Sequence, residues 1–413
     1  MSVDKNVPEV RFKGFNKEWN HLTLGENAKF TKGQGYSKGD LVASGAPIIL
    51  YGRLYTKYQT VITSVDTFVT EKDKSVKSMG GEVIVPASGE SPEDISRASV
   101  VSEQNVILGG DLNIVLPNKK IHSTFLALAI SNGRLKKELS SKAQGKSVVH
   151  IRNSDLADLD LILPTEYIEQ TKIGNYFQTL DSLINQHQQK HDKLSSIKKS
   201  MLEKMFPKQG ETIPEIRFKG FRGEWNYLAL GENAKFTKGQ GYSKGDLVTS
   251  GSPIILYGRL YTRYQTVITV VDTFVTEKDK SVKSIGGEVI VPASGESPED
   301  ISRASVVSEP NVIIGGDLNI VLPSKKIHST FLALAITNGR LKKKLSSKAQ
   351  GKSVVHIRNS DLADLDLILP TEYMEQTAIS NYFQKLDTLI NQHQQQITKL
   401  NNIKQACLSK MFV

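Results

Sequence analysis

The sequence predicts an α/β chain. It holds two strand-rich mixed α/β modules separated by two long antiparallel helices, a coiled-coil rod with approximate two-fold symmetry. Three observations carry that expectation. The first is an internal repeat: Pro8-Glu-Val-Arg-Phe-Lys-Gly-Phe15 returns as Pro214-Glu-Ile-Arg-Phe-Lys-Gly-Phe221, and the offset of 206 holds without a gap to Phe206 and Phe412. Only 29 of the 199 aligned positions differ, and 11 of those lie between Leu22 and Leu163. A period that long marks whole modules rather than solenoid units. The second is the apolar spacing in each tail: Ile173, Phe177, Leu180, Ile184, Leu194, Met201 and Met205, and in the second copy Ile379, Phe383, Leu386, Ile390, Ile397, Leu400 and Met411. Steps of four and three give the seven-residue beat of a helix whose narrow seam packs on another helix. His187 and His393 interrupt the seam, and a polar residue there fixes register and pairing.

The third observation is the joint. A helical tail over 164–206 is about 60 Å long at about 1.5 Å per residue. The seven residues 207–213 reach at most about 25 Å at about 3.5 Å each. The second module therefore starts near the far end of the first helix, and its own helix buries its seam by running back. The expected division is a first module over 1–163, a spacer helix over 164–206, a linker over 207–213, a second module over 214–369 and a second spacer helix over 370–413.

Within one module, Phe12, Phe15 and Trp19 open a polar segment expected to lie on the surface. Gly33 to Gly39 reads as a glycine-hinged loop, and Pro47 to Tyr51 as a short apolar strand with Tyr51 in the core. Strand-like runs follow at 61–69, 81–86, 98–101, 105–108 and 112–117. The periodicity of Phe125, Leu128, Ala129, Leu135 and Leu139 predicts one helix over 123–139, with Ser123 as cap. A polar loop over 140–147 and strands at 148–151 and 159–163 complete the module. Pro164 and Thr165 suit the first turn of the long helix.

The hydrophobic fraction of 38% and charged fraction of 23% are ordinary for globular domains. A net charge of +10 favours a polyanionic partner. One cysteine, Cys407, excludes an intramolecular disulfide and suits a reducing cytoplasm. Met1 to Asn6 lacks an apolar signal core, and no run approaches the roughly 18 apolar residues of a membrane helix, so no membrane partner is expected. Signatures of catalysis are missing. Gly145-Lys146-Ser147 ends like a phosphate-binding loop, but Ser140 stands where that motif needs glycine. Gly33, Gly35 and Gly39 have the wrong spacing for a dinucleotide fingerprint. The histidines lack metal-ligand spacing, and no serine sits in a nucleophile elbow.

Four loops combine cations with flat or amide side chains: Lys32, Gln34, Tyr36 and Lys38; Arg53, Tyr55, Lys57 and Tyr58 after Tyr51; Ser88, Glu90 and Arg97; and Lys142, Gln144, Lys146 and Ser147. The second copy carries Lys238, Gln240, Tyr242 and Lys244; Arg259, Tyr261, Arg263 and Tyr264; Glu296 and Arg303; and Lys348, Gln350, Lys352 and Ser353. Lysine and serine anchor phosphates, arginine reads guanine edges, glutamine reads adenine edges, and glutamate accepts from cytosine. Among these, Arg53, Lys142, Gln144 and Lys146 are the foremost contact candidates, while Arg97 can pair with Asp94 instead.

Each module opens with Glu-x-Arg-Phe-x-Gly-Phe and a following Glu-Trp. It closes with Ile151, Asp155-Leu156, Leu161 to Pro164, Glu169-Gln170, Ile173, Leu180-Asp181, Ile184, Leu194, Lys198 and Met205-Phe206. That arrangement resembles the DNA-specificity subunit of type I restriction–modification systems, over essentially the whole chain. The resemblance implies a non-catalytic subunit that reads the two halves of a split site in double-stranded DNA. It further implies two docked adenine-methyltransferase subunits and a recruited restriction subunit. S-adenosylmethionine and ATP with magnesium would sit on those partners, and no cofactor on this chain. The departure from the family pattern is that the two recognition modules are nearly identical, which leads us to expect an interrupted inverted repeat. The competing reading is a stand-alone DNA-binding regulator without enzyme partners.

Overall fold

The computed structural model describes residues 6–145, 147–351 and 354–412. Two compact units emerge, one of Met1–Gln188 with Gln395–Val413, the other of Gln189–Gln394. Each holds one strand-rich module, the first half of that module's long helix, and the closing segment of the other long helix.

In the first unit a five-stranded sheet forms from β1 (Ala28–Lys32), β2 (Val61–Ile62), β3 (Glu82–Pro86), β4 (Ser99–Val101) and β5 (Leu112–Pro117), in the order β1-β5-β3-β4-β2. Every pair is antiparallel except β2 with β4. All five residues of β3 are buried, so the sheet is covered on both faces. Val83, Val85, Val100 and Val115 face a core shared with α1 (Ser123–Ser131), whereas Ile84, Val101 and Ile114 face a smaller core with Ile49 and Leu54. A four-stranded sheet built from Leu41–Val42, Ala46–Ile49, Phe68–Val69 and Ile107–Leu108 lies beyond it. The second unit repeats these strands at the offset of 206.

Three local expectations change. Trp19 is not a surface residue: it is 2% exposed and packs edge-on to Phe125, with ring centroids 5.7 Å apart. Its indole is too large an apolar surface to leave in water when the main core is adjacent. Tyr51 is 38% exposed rather than core, because the turn after Ile49 carries it out. The helix expected over 123–139 is two helices, α1 and α2 (Gly133–Lys142). Asn132 leaves helical geometry while its side chain donates to the Leu128 carbonyl at 2.8 Å, and Gly133 takes φ +62°, a conformation glycine adopts without strain.

The long helices are α3 (Tyr167–Lys204) and α4 (Tyr373–Met411). Within the first unit they run antiparallel. Tyr176 meets Cys407 at 3.6 Å, and farther along α3 Asp181 meets Lys404 at 2.5 Å, an earlier residue of α4. The second unit shows the equivalent pairing of Lys198 with Asp387, and Phe206 beside Phe383. Asp181 also accepts from the buried Thr60 hydroxyl at 2.9 Å, so one carboxylate ties module, helix and second helix together. The seam does more than join helices. Ile173, Phe177 and Leu180 belong to the first unit's main core with Leu408, Met411 and Phe412, while Met205 belongs to the second unit's core with Ile379, Phe383 and Leu386.

The opening motif has a structural use. Arg11 makes a two-pronged ion pair with Glu169, at 2.6 and 2.8 Å, and Glu169 is 1% exposed. The carboxylate beside it raises the affinity of Arg11 for its proton. Gln170 accepts from the His122 amide and donates to the Lys120 and Pro164 carbonyls. Replacing Arg11 with alanine leaves a buried carboxylate without its partner. The expected loss in a denaturant melt is about 3–5 kcal/mol from the first unit, the range for breaking a buried pair.

Candidate nucleic-acid interface

One end of the five-stranded sheet gathers most of the loops singled out above. The register pairs Lys32 with Asn113 and Leu112 with Pro86, so β1 ends, β5 begins and β3 ends at the same edge. Segment 33–40 leaves from that edge, segment 109–111 enters it, and Ser88–Gly89 continues from β3 to pair with Val149–His150. Backbone bonds knit these pieces: Gly33 N–H to Leu112 O at 2.9 Å, Gly110 N–H to Gly35 O at 2.7 Å, and Ala87 N–H to Asp111 O at 2.8 Å. A Cβ on Gly33 would lie 1.9 Å from the Gly109 carbonyl oxygen, so only glycine permits the crossing. Gln144 and His150 exchange backbone bonds across the 144–150 loop.

The predicted residues divide by what their side chains already do. Lys32, Gln34, Lys38, Glu90, Gln144 and Ser147 are exposed, as are Lys238, Gln240, Lys244, Glu296 and Gln350. Tyr36 is 9% exposed at φ +53°; its hydroxyl meets Ser75 Oγ at 2.6 Å and accepts from the Lys72 amide at 2.6 Å. It staples one loop to another, with the Lys72 Nζ 4.7 Å above its ring, and Tyr242 does the same in the second unit. Arg53 is 11% exposed at its side chain and donates to Asp66 at 2.7 Å, Gln59 at 3.1 Å and the Ser64 carbonyl at 3.0 Å. Arg259 repeats this with Asp272, Gln265 and the Val270 carbonyl. These guanidinium groups direct their donors into the module.

Lys57 pairs with Asp66 and Arg263 with Asp272. The Tyr55 hydroxyl donates to Ser88 O, Tyr261 to Ser294 O, Tyr58 to Ala98 O and Tyr264 to Ala304 O. Burial pushes the Tyr55 and Tyr261 phenols well up from their ordinary range, so they remain protonated donors. Arg97 and Arg303 pair with Asp94 and Asp300, at 3.2 and 3.1 Å. Lys142 and Lys348 lie 3.7 and 2.7 Å from Asp158 and Asp364. Ser88 is buried beneath the sheet edge. Lys146, Lys352 and Ser353 lie outside the described residues.

Sequence reasoning passed over two exposed groups at this edge, His150 and Arg152. For Arg152 the signal was present, since it stands directly before a helix start marked by Asn153 and Asp155, where the helix end disfavours a cation. Among the described residues, no group of His, Cys, Asp and Glu side chains could hold a metal ion. No described helix is long and apolar enough to cross a membrane.

The ion pairs that brace these loops predict their acid response. A hydrogen bond from Lys72, with the Ser37 amide, holds Asp40 at about 2, and Lys57 and Arg53 hold Asp66 at about 2. Both lie below the unfolded value of about 3.9. Their contribution is therefore complete above pH 4 and fades as pH falls toward 2. Proteolytic protection of segments 33–40 and 51–66 should be the same at pH 7 and pH 5, and should decline only below pH 4.

A family model described as the type I restriction modification DNA specificity domain matches residues 16–196 and again residues 222–402. The chain is similar to the type I restriction enzyme MjaVIII specificity subunit of Methanocaldococcus jannaschii, 19% identical over 99% of this chain and 95% of that protein. Its fold is similar to the crystal structure of a type I restriction–modification S subunit from M. genitalium. There the TM-score is 0.63 and the identity 15%, over 98% of this chain and 99% of that one. The crystal structure of the HsdS subunit from Thermoanaerobacter tengcongensis also aligns, with a TM-score of 0.43 and 16% identity over 96% and 97% of the two chains.

Proposed function

Because this chain belongs to the type I restriction–modification DNA-specificity family, we propose that each of its two modules reads one half of a split DNA site. The chain is the non-catalytic recognition subunit of a type I complex, and the observation that carries this is the family match falling twice, once on each module. The exposed cations and amides at the sheet edge suit DNA reading. Lysines bind phosphate and are sequence-blind, whereas amides and arginines in a groove discriminate bases.

The two loop sets support a symmetric site. Gly33 to Lys38 and Gly239 to Lys244 are identical in sequence, as are Ser88 to Arg97 and Ser294 to Arg303. Equal readers joined by antiparallel helices read the same bases on opposite strands, so the recognised site is an inverted repeat with an unread spacer. The same logic relates symmetric dimers to palindromic operators.

Two adenine-methyltransferase subunits, carrying S-adenosylmethionine, dock on the outer faces of the helices, and a restriction subunit using ATP and magnesium joins them. Tyr167 and Ile168 at the start of α3, 48% and 55% exposed, and Tyr373 and Met374 at the start of α4, 46% and 68% exposed, are apolar groups available for that contact. Recovery of methyltransferase subunits with the tagged chain is the expected outcome. A chain that binds its DNA motif but never retains them is instead a stand-alone regulator.

A methylation map of DNA from cells carrying the complex should show one split motif whose halves are reverse complements; unlike halves would overturn the symmetric reading. Lys32→Ala should lower affinity evenly across sequences and reduce the salt slope of binding by about one, as loss of a phosphate contact does.

A further inference from the structure

Resting on the DNA-reading function above, we propose that Arg152 and its counterpart Arg358 are the guanine-reading residues of the two modules. They take the part that composition alone pointed to in Arg53 and Arg259. The reasons are availability, rigidity and position.

Availability separates the arginines. The guanidinium of Arg53 is engaged by three acceptors. The side chain of Arg152 is exposed, and among the described residues no hydrogen bond or ion pair engages its guanidinium; Arg358 is the same. Two parallel N–H groups are thus free for the O6 and N7 acceptors of a guanine.

Rigidity comes from the backbone on both sides. The Arg152 amide donates to Asp155 Oδ2 at 2.7 Å. The preceding residue, Ile151, is 1% exposed; its amide donates to Ala87 O at 3.0 Å and its carbonyl accepts from the fully buried Asn113 at 2.9 Å. The following residue, Asn153, donates to Thr31 O at 3.0 Å. Each bond recurs in the second unit, through Asp361, Ala293, Asn319 and Thr237. A long side chain whose Cα is pinned through two strands, Ala87 and a helical turn loses less freedom on binding, and such fixed geometry is what discrimination between bases requires.

Position makes the reading one of bases rather than phosphates. Asn153 ties Arg152 to the β1 side of the edge, where Lys32 is exposed, and Ile151 ties it to the Ser88 side, where Glu90 is exposed. Arg152 stands between those flanks, with Lys32 at the rim suited to the backbone of a duplex.

The test uses the chain in complex with its methyltransferase subunits and a pool of duplexes with randomised half-sites. Arg152→Gln should lose preference for guanine at one position of one half-site by about ten-fold or more, with adenine gaining there, since glutamine pairs with adenine edges. Arg358→Gln should give the same altered motif, because an inverted repeat with one changed half reads identically from its other strand. Arg152→Met, similar in bulk but without donors, should relax that position with no new preference, and should keep the wild-type melting temperature. An unchanged motif would overturn the assignment. So would an even loss of affinity with a salt slope reduced by about one, the signature of a phosphate contact. A wild-type complex that selects no motif would instead count against DNA reading itself.

Discussion

Aromatic packing at the ends of the long helices is the interaction on which the rest of the structure depends. Phe412 lies 5.6 Å from Phe125 and 6.1 Å from Phe177, inside the core that also holds Trp19. In the second unit Phe206 stacks on Phe331 at 5.4 Å and meets Trp225 edge-on at 6.1 Å. Neither module thus closes its core with its own helix alone; each borrows the terminal turn of the other's. Burial of rings of this size is a dominant share of core energetics, so folding of each module is coupled to helix pairing.

That coupling explains why the helices are polar over much of their length yet ordered. A 38-residue helix with exposed Gln, Lys and Asn has little reason to persist alone, since most helical stability in proteins comes from packing. Here both ends are anchored in cores, and the ion pairs Asp181–Lys404 and Asp387–Lys198 lie where helix and module meet. The same carboxylates bind the buried hydroxyls of Thr60 and Thr266. Anchoring of this kind matters within each module, because bases are distinguished by hydrogen bonds whose geometry must already be set when the duplex arrives.

The interface illustrates a division of labour among like residues. Arginines, tyrosines and lysines crowd the loops, but many hold the loops rather than face outward. Arg53 braces segment 59–66, Tyr55 ties a one-turn helix to Ser88, and Tyr36 at a left-handed φ joins two loops. Their cost in lost exposure is offset by shape: the remaining free groups stand on a fixed edge.

Sequence alone determined the duplication, the strand-rich modules and the long helices, because each leaves a periodic or compositional mark along the chain, and its opening and closing motifs carried the family resemblance. It also marked most of the loops that gather at one end of the five-stranded sheet, since glycine, serine and asparagine cluster where strands end. It could not decide which side chains in those loops are free. Arg53 and Arg152 are both arginines beside loops; only the register that brings Asp66 and Gln59 to one, and neither to the other, separates them. Likewise the burial of Trp19 and the break at Asn132 depend on neighbours more than 100 residues away or on a single glycine dihedral. Periodicity is local, whereas the satisfaction of a donor is settled by whatever the fold brings within about 3 Å of it.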